Sequence, residues 1–303
     1  MISERFAFGA IPDDRTKPSL EFEAIRRRVT EGGPEEYIPA EAFPTSLDNL
    51  SKSVFERWNV LGNKTTWVDE NNVKRQGIGN CTAVAWANQR RLVSKLLGGN
   101  EVYPELKHVV EVYRAGKGND QFDAYKTDKD YGPGSPYDNG MSIQEALNFL
   151  RKNGGGPDRV KPVAFARVNQ EDPKAMKDAM AIFGSLWISF QCLGYKRKGE
   201  EDKWPKVFDW AGLDGTAFVN DPKAEVAAGH SVILAGYENK RMRCVSWGEL
   251  REMDENYIEA SRVYDVWAVI WPEHVGTRNF SKCFLCFLFL CLFSLCLPFL
   301  RCG

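Results

Sequence analysis

Cys81 follows Gln76-Gly77-Ile78-Gly79-Asn80 and opens an apolar run, Ala83, Ala85, Trp86, Ala87, Leu92, Val93, Leu96 and Leu97, closed by Gly98-Gly99. This pattern predicts a buried helix with Asn80 as its N-cap and a glycine stop. A thiol in the first helical turn meets unbonded backbone N–H groups and the positive end of the macrodipole, both of which favour the nucleophilic thiolate. The bland alternative is a small buried hydrophobe, the commonest fate of an isolated cysteine. Gln76, five residues upstream, could bring its amide near the thiol, and the glycines permit the tight turn that would aim the Cys81 N–H at a bound carbonyl. Otherwise Gln76 is a solvated loop residue.

A thiol nucleophile needs a base to activate it. The chain has three histidines. His108 lies in an apolar helical stretch with Val109, Val110 and Val112 and reads as partly buried and structural. His274 follows Trp271-Pro272 and reads as a surface residue. His230 follows Ala227-Ala228-Gly229 and opens the apolar run Ser231 to Tyr237, so it stands at a strand mouth where its ring can face a cleft. No histidine has a second His, Cys or carboxylate at ligand spacing, and the pair Cys283 and Cys286 sits in a greasy run, so no metal and no organic cofactor is expected.

Around these residues the chain changes character from helices to strands. Ser142 to Asn153 and Asp172 to Phe183 read as further helices. Leu186 to Gln191, Ser231 to Tyr237, Met242 to Trp247 and Tyr264 to Trp271 read as strands. Helices first and strands later predict an α+β fold with segregated lobes. Gly9 to Asn72 is polar and rich in proline and acids, with helices expected near Glu21 to Val29 and Leu47 to Trp58, and reads as an arm or pro-segment wrapped on the body. The expected divisions are 1–72 (arm), 73–165 (helical lobe with the nucleophile), 166–272 (β-rich lobe with the histidine) and 273–303 (tail).

The 303 residues suffice for one large or two modest domains, and a net charge of -1 argues against nucleic acid as an electrostatic partner. Five of the eight cysteines fall after residue 282, leaving Cys81, Cys192 and Cys244 in the body, too sparse for a disulfide framework. The start, Met1 to Phe8, lacks a basic segment followed by an apolar run, which argues against a secretory signal peptide.

Three separated segments carry a resemblance. Gln76-Gly77-Ile78-Gly79-Asn80-Cys81-Thr82-Ala83-Val84-Ala85-Trp86-Ala87 resembles the active-site loop and helix of papain-like cysteine peptidases. Gly229 to Tyr237 resembles their histidine strand, and Ser246-Trp247-Gly248 the turn after it. His230 lies 149 residues after Cys81, inside the roughly 130 to 150 of that family. Asn139-Gly140 resembles the substrate-groove stretch, so the likeness runs from about Val73 to Trp271.

The resemblance implies a two-lobed fold and peptide-bond hydrolysis. Cys81 would be the nucleophile, His230 its base and acid, Gln76 an oxyanion donor, Trp247 a shield over the histidine, and Asn139 and Gly140 substrate contacts. With Trp247-Gly248-Glu249-Leu250 and Asp265 to Ile270, the chain looks more like the divergent papain-like proteins of phages, large viruses and bacteria than like lysosomal cathepsins. Thr82 replaces the aromatic that usually follows the nucleophile, and Val245 stands where the family has the asparagine that orients the imidazole. That departure keeps two other readings open: a catalytically impaired protein that binds peptides or builds a larger particle, and another Cys/His acyl transfer such as transamidation.

Cys283 to Leu300 holds eighteen residues without a charge between Lys282 and Arg301. It meets the length of a membrane span, with Arg278 and Lys282 favouring a cytosolic body. Yet it contains only Leu, Phe, Cys, Ser and Pro, all with pyrimidine-rich codons, which equally suits a translated non-native end. A membrane enters as a partner only on the first reading. The expected partner is a peptide or protein substrate; compartment and oligomeric state stay open.

Overall fold

Helix α1 (Cys81–Gly98) forms where the apolar run begins, and the Asn80 carbonyl accepts its first-turn bond from the Val84 N–H at 3.0 Å. The computed structural model describes residues 10–13, 21, 66–68, 74–76, 79–98, 100–116, 140–196, 208–210, 213–214, 217–238, 240–246 and 249–276. The helices expected near Glu21 to Val29 and Leu47 to Trp58, and the greasy tail, lie outside them. Among the described residues no helix is long and apolar enough to cross a membrane.

Helices α2 (Leu106–Gly116) and α3 (Ile143–Asn153) pack beside α1. A capping box starts α3: Ser142 Oγ accepts from the Glu145 N–H and Glu145 Oε2 from the Ser142 N–H. Helix α4 (Pro173–Phe183) begins with Asp172 accepting from the Lys174 and Ala175 N–H groups, and ends at Gly184 in the left-handed region, φ 75°.

A short antiparallel pair, β1 (Thr66–Val68) and β2 (Lys74–Gln76), precedes α1. The large sheet runs in the order β3 (Ala164–Arg167), β11 (Val263–Ile270), β4 (Leu186–Lys196), β8 (Glu225–Glu238), β9 (Arg241–Ser246), β10 (Glu249–Asp254), β7 (Ala217–Phe218), β6 (Leu213–Asp214). β5 (Phe208–Trp210) pairs with the far end of β4. Every pairing is antiparallel except β10 with β7. Two short helices, α5 (Glu255–Glu259) and α6 (Pro272–Gly276), flank β11.

The central strands bury both faces, so their side chains alternate between two cores. Trp187, Ile233, Ala235, Trp267 and Val269 join α1, α2 and α3 in one. Ile188, Phe190, Val232, Leu234, Val266 and Ala268 join α4 in the other. The architecture is α+β. β4 and β8 are far longer than the apolar runs predicted, because β8 continues back through Glu225-Val226-Ala227-Ala228 while paired to β4.

His274 is a correction. It is fully buried, with Nδ1 accepting from the Trp271 N–H at 3.0 Å and Nε2 donating to the Phe183 carbonyl at 2.9 Å, while burial lowers its pKa. The packed body therefore continues past Trp271 into α6. There Glu273 makes a two-pronged pair with Arg90 of α1, at 3.0 and 2.7 Å, and that buried guanidinium also stacks on Trp271. His108 is half-buried on α2 and binds the Glu105 N–H, as a structural residue would. Removing one member of a buried pair strands the other charge. Glu273→Ala is therefore expected to cost about 3 kcal/mol, read as a lowered urea midpoint.

Candidate functional site

Cys81 is the first residue of α1, fully buried, and like Cys192 and Cys244 it is a thiol. Helix α1 packs on β8. Burial first, and then the proximity of Cys81, push the Cys192 thiol well up. Cys192 of β4 pairs with Ala228 of β8, two residues from the Phe190 and His230 pair. The helix head thus abuts the stretch of sheet that carries His230. Burial also pushes Cys244 up to about 12, which leaves it an inert core thiol.

His230 does not open its strand. It lies in the middle of β8, 1 % exposed, with Phe190 edge-on at 5.6 Å between ring centroids. The expected small-residue turn before it, Ala227-Ala228-Gly229, is strand. Nε2 of His230 is 2.8 Å from Ser246 Oγ. Leu234 of β8 faces Cys244 of β9, so strand alternation puts Ser246 on the face that His230 shares with Leu234. A hydroxyl can donate or accept, so it can hold the ring in either tautomer. Burial, and secondarily the positive Arg251, pull the His230 pKa down to about 3, so the imidazole is neutral in this state. The residue that engages His230 beside Val245 is therefore its neighbour Ser246, which the sequence reading noted only as part of a turn.

Gly140 precedes α3 with φ 83°, its N–H donating to Tyr113 Oη at 3.0 Å. The next carbonyl, Met141 O, accepts from Thr82 Oγ1 at 2.8 Å, so the residue after Cys81 ties α1 to the segment that leads into α3. Gln76 is the last residue of β2, not a loop residue. Its side chain, that of Val245, and all of Asn139 and Trp247 lie outside the described residues.

Residues 10 to 13 run between Gly229 of β8 and Met141 before α3. The Ala10 N–H donates to Gly229 O and the Ile11 N–H to Met141 O, both at 3.4 Å. Ala10 bridges Met141 in parallel, and further along Glu21 bridges Arg167 of the edge strand β3. Gly229 allows this approach, because a Cβ there would lie 2.1 Å from the Ala10 carbonyl oxygen. The arm then sinks Asp13 into the body. Among the described residues no group of three His, Cys, Asp or Glu side chains could hold a metal ion.

Helix α1, headed by Cys81, packs on the strand that carries His230, and the fold is similar to that of papain-like cysteine proteases. The chain is similar to xylellain, a cysteine protease from Xylella fastidiosa, at 16% identity over 89% of this chain and 98% of that one, with a TM-score of 0.53. It is also similar to procathepsin B S9 from Trypanosoma congolense, at 12% identity over 88% and 86% of the two chains, with a TM-score of 0.47. No protein-family model and no curated protein matches the sequence. The likeness to xylellain shows the fold.

The neutral, buried His230 has a consequence for acid stability. Between pH 6.5 and about 3 the unfolded chain binds a proton at this position that the folded chain does not, so stability falls as pH drops through that window. The slope contributed by His230 is about 1.4 kcal/mol per pH unit. Urea midpoints followed from pH 7 to pH 4 should therefore fall less steeply in His230→Gln than in the native chain.

Proposed function

We propose that the chain is a cysteine peptidase that hydrolyses peptide bonds through Cys81 and His230. His230 takes the proton of the Cys81 thiol, the resulting thiolate attacks the scissile carbonyl, His230 returns that proton to the departing amine, and water then hydrolyses the thioester. Gln76 and the Cys81 N–H stabilise the tetrahedral oxyanion, each donor contributing on the order of 3 kcal/mol. Trp247 shields the histidine, and Asn139 and Gly140 line the substrate groove. The observation that carries this reading is the papain-like fold with Cys81 at the head of the helix packed on the His230 strand. Residues 1–72 act as the arm that fills the groove, and the peptidase works once it is displaced.

Burial of His230 as a neutral ring, together with Val245, favours a second reading: a papain-like protein that binds peptides without cutting them. An epoxide-type thiol-protease trap separates the two. The peptidase reading expects labelling of Cys81 and cleavage of a peptide library, both lost in Cys81→Ala and His230→Ala. No labelling between pH 4 and 8, with the arm removed by limited proteolysis, would leave only the binding protein.

Ser246 serves in this mechanism as the positioning residue for His230. Ser246→Ala is expected to lower kcat/KM by about tenfold and to shift its pH profile, with Ser246→Thr retaining most of the activity. An unchanged profile in Ser246→Ala would remove the hydroxyl from the mechanism.

A further inference from the structure

The pocket that receives Asp13 is built for a carboxylate. Asp13 Oδ1 accepts from the backbone N–H of Gln144, in the first turn of α3, at 2.8 Å. Oδ2 accepts from the indole Nε1–H of Trp267 at 2.6 Å. Arg167 stands behind, its Nη2 3.8 Å from Oδ2 and its guanidinium over the Trp267 ring at 4.9 Å. Arg167 is 4 % exposed, and its Nε and Nη2 make no hydrogen bond among the described residues. A buried guanidinium so placed needs an anion in front of it.

The pocket reads more than charge. The backbone N–H of Asp13 donates to Asp265 Oδ2 at 2.8 Å, and Ser189 Oγ donates to the same oxygen at 3.3 Å. The occupant must therefore present a carboxylate on a short stem together with its own amide N–H. Aspartate meets both requirements, while asparagine loses the charge. With Asp13 withdrawn, Arg167 and Asp265 remain as one positive and one negative group, so an incoming aspartate finds the donors that Asp13 left.

The pocket also belongs to the groove. Ala10, three residues before Asp13, bonds to Gly229, the neighbour of His230, and Ile11 bonds to Met141. Gly229 O and Met141 O are main-chain acceptors indifferent to sequence. Any extended chain that displaces the arm can use them, and it then runs past the same pocket.

We propose that this pocket, formed by Gln144 N–H, Trp267 Nε1, Arg167 and Asp265, is a specificity subsite for an aspartate side chain in the peptide bound in the groove, and that Asp13 occupies it as the resident competitor. This rests on the groove being where peptides bind, and it holds whether or not they are cleaved.

The test uses the full chain carrying Cys81→Ala and Asp13→Ala, which cannot turn a substrate over and has an empty pocket. A fluorescein-labelled peptide copying residues 7–17 is bound and followed by anisotropy. It is then displaced by octapeptide pools of otherwise random sequence with one fixed residue. The Asp-fixed pool is expected to displace it at about tenfold lower concentration than the Asn-fixed, Lys-fixed or Leu-fixed pools, the strength of a hydrogen bond to a charged group. Arg167→Gln in the same background should erase that preference, with circular dichroism confirming the fold. Equal displacement by all pools, or no saturable binding of the labelled peptide to the folded chain, would overturn the subsite. Epoxide labelling of Cys81 in the native chain decides the peptidase reading independently.

Discussion

The structure depends on strands that are buried on both faces. Along β4, β8 and β11 successive side chains go alternately to the helices of the first lobe and to the core around α4. A slip of one residue in β8 would send His230 to the helical side and Ser231 to the far core, and would part Trp187 from the Ser231 hydroxyl it now bonds at 3.0 Å. The large side chains forbid that slip. Trp187, Trp267 and Trp271 fill the space under α1, and none fits on the opposite face beside Phe190, Phe218 and Tyr257. Packing of aromatics therefore fixes which face of the sheet His230 presents.

The same burial sets the electrostatics. Inside this sheet charged forms are penalised, so Cys192, Cys244 and Tyr257 are held protonated and His230 neutral. The charges that do persist in the interior come paired. Arg90 meets Glu273, Arg91 meets Glu101 across the stacked Tyr103 ring, and Asp13 meets Arg167. Burial thus leaves at His230 a neutral imidazole within hydrogen-bond reach of the Ser246 hydroxyl.

Much of this was legible in the residues. Apolar periodicity marked the helices, with Ser142 and Asp172 at the starts of α3 and α4 and Gly154 just past the end of α3, because caps act through neighbours only a few positions away. The helix that Cys81 heads and the apolar part of the strand that carries His230 were legible from local context. The placements that escaped depend on distant partners. His274 has no local signal for burial, since it is Phe183 that receives its proton. The extension of β8 through Glu225 to Ala228 lacks an apolar pattern and forms because β4 pairs with it. Ser246 meets His230 only through the β8 to β9 register, which shifts between Leu234 and Tyr237.

The segment around Asp13 joins parts of the chain far apart in sequence. Asp13 bonds to Asp265 and Trp267, partners 252 and 254 residues away. Contacts of such long sequence separation form late, after the elements between them have folded. During synthesis the arm emerges first, yet its docking pocket is incomplete until β11 has left the ribosome and paired with β3 and β4. The segment that carries Asp13 is thus made well before its partners and seated only after them. Seating of Asp13 therefore reports that β11 has been made and paired.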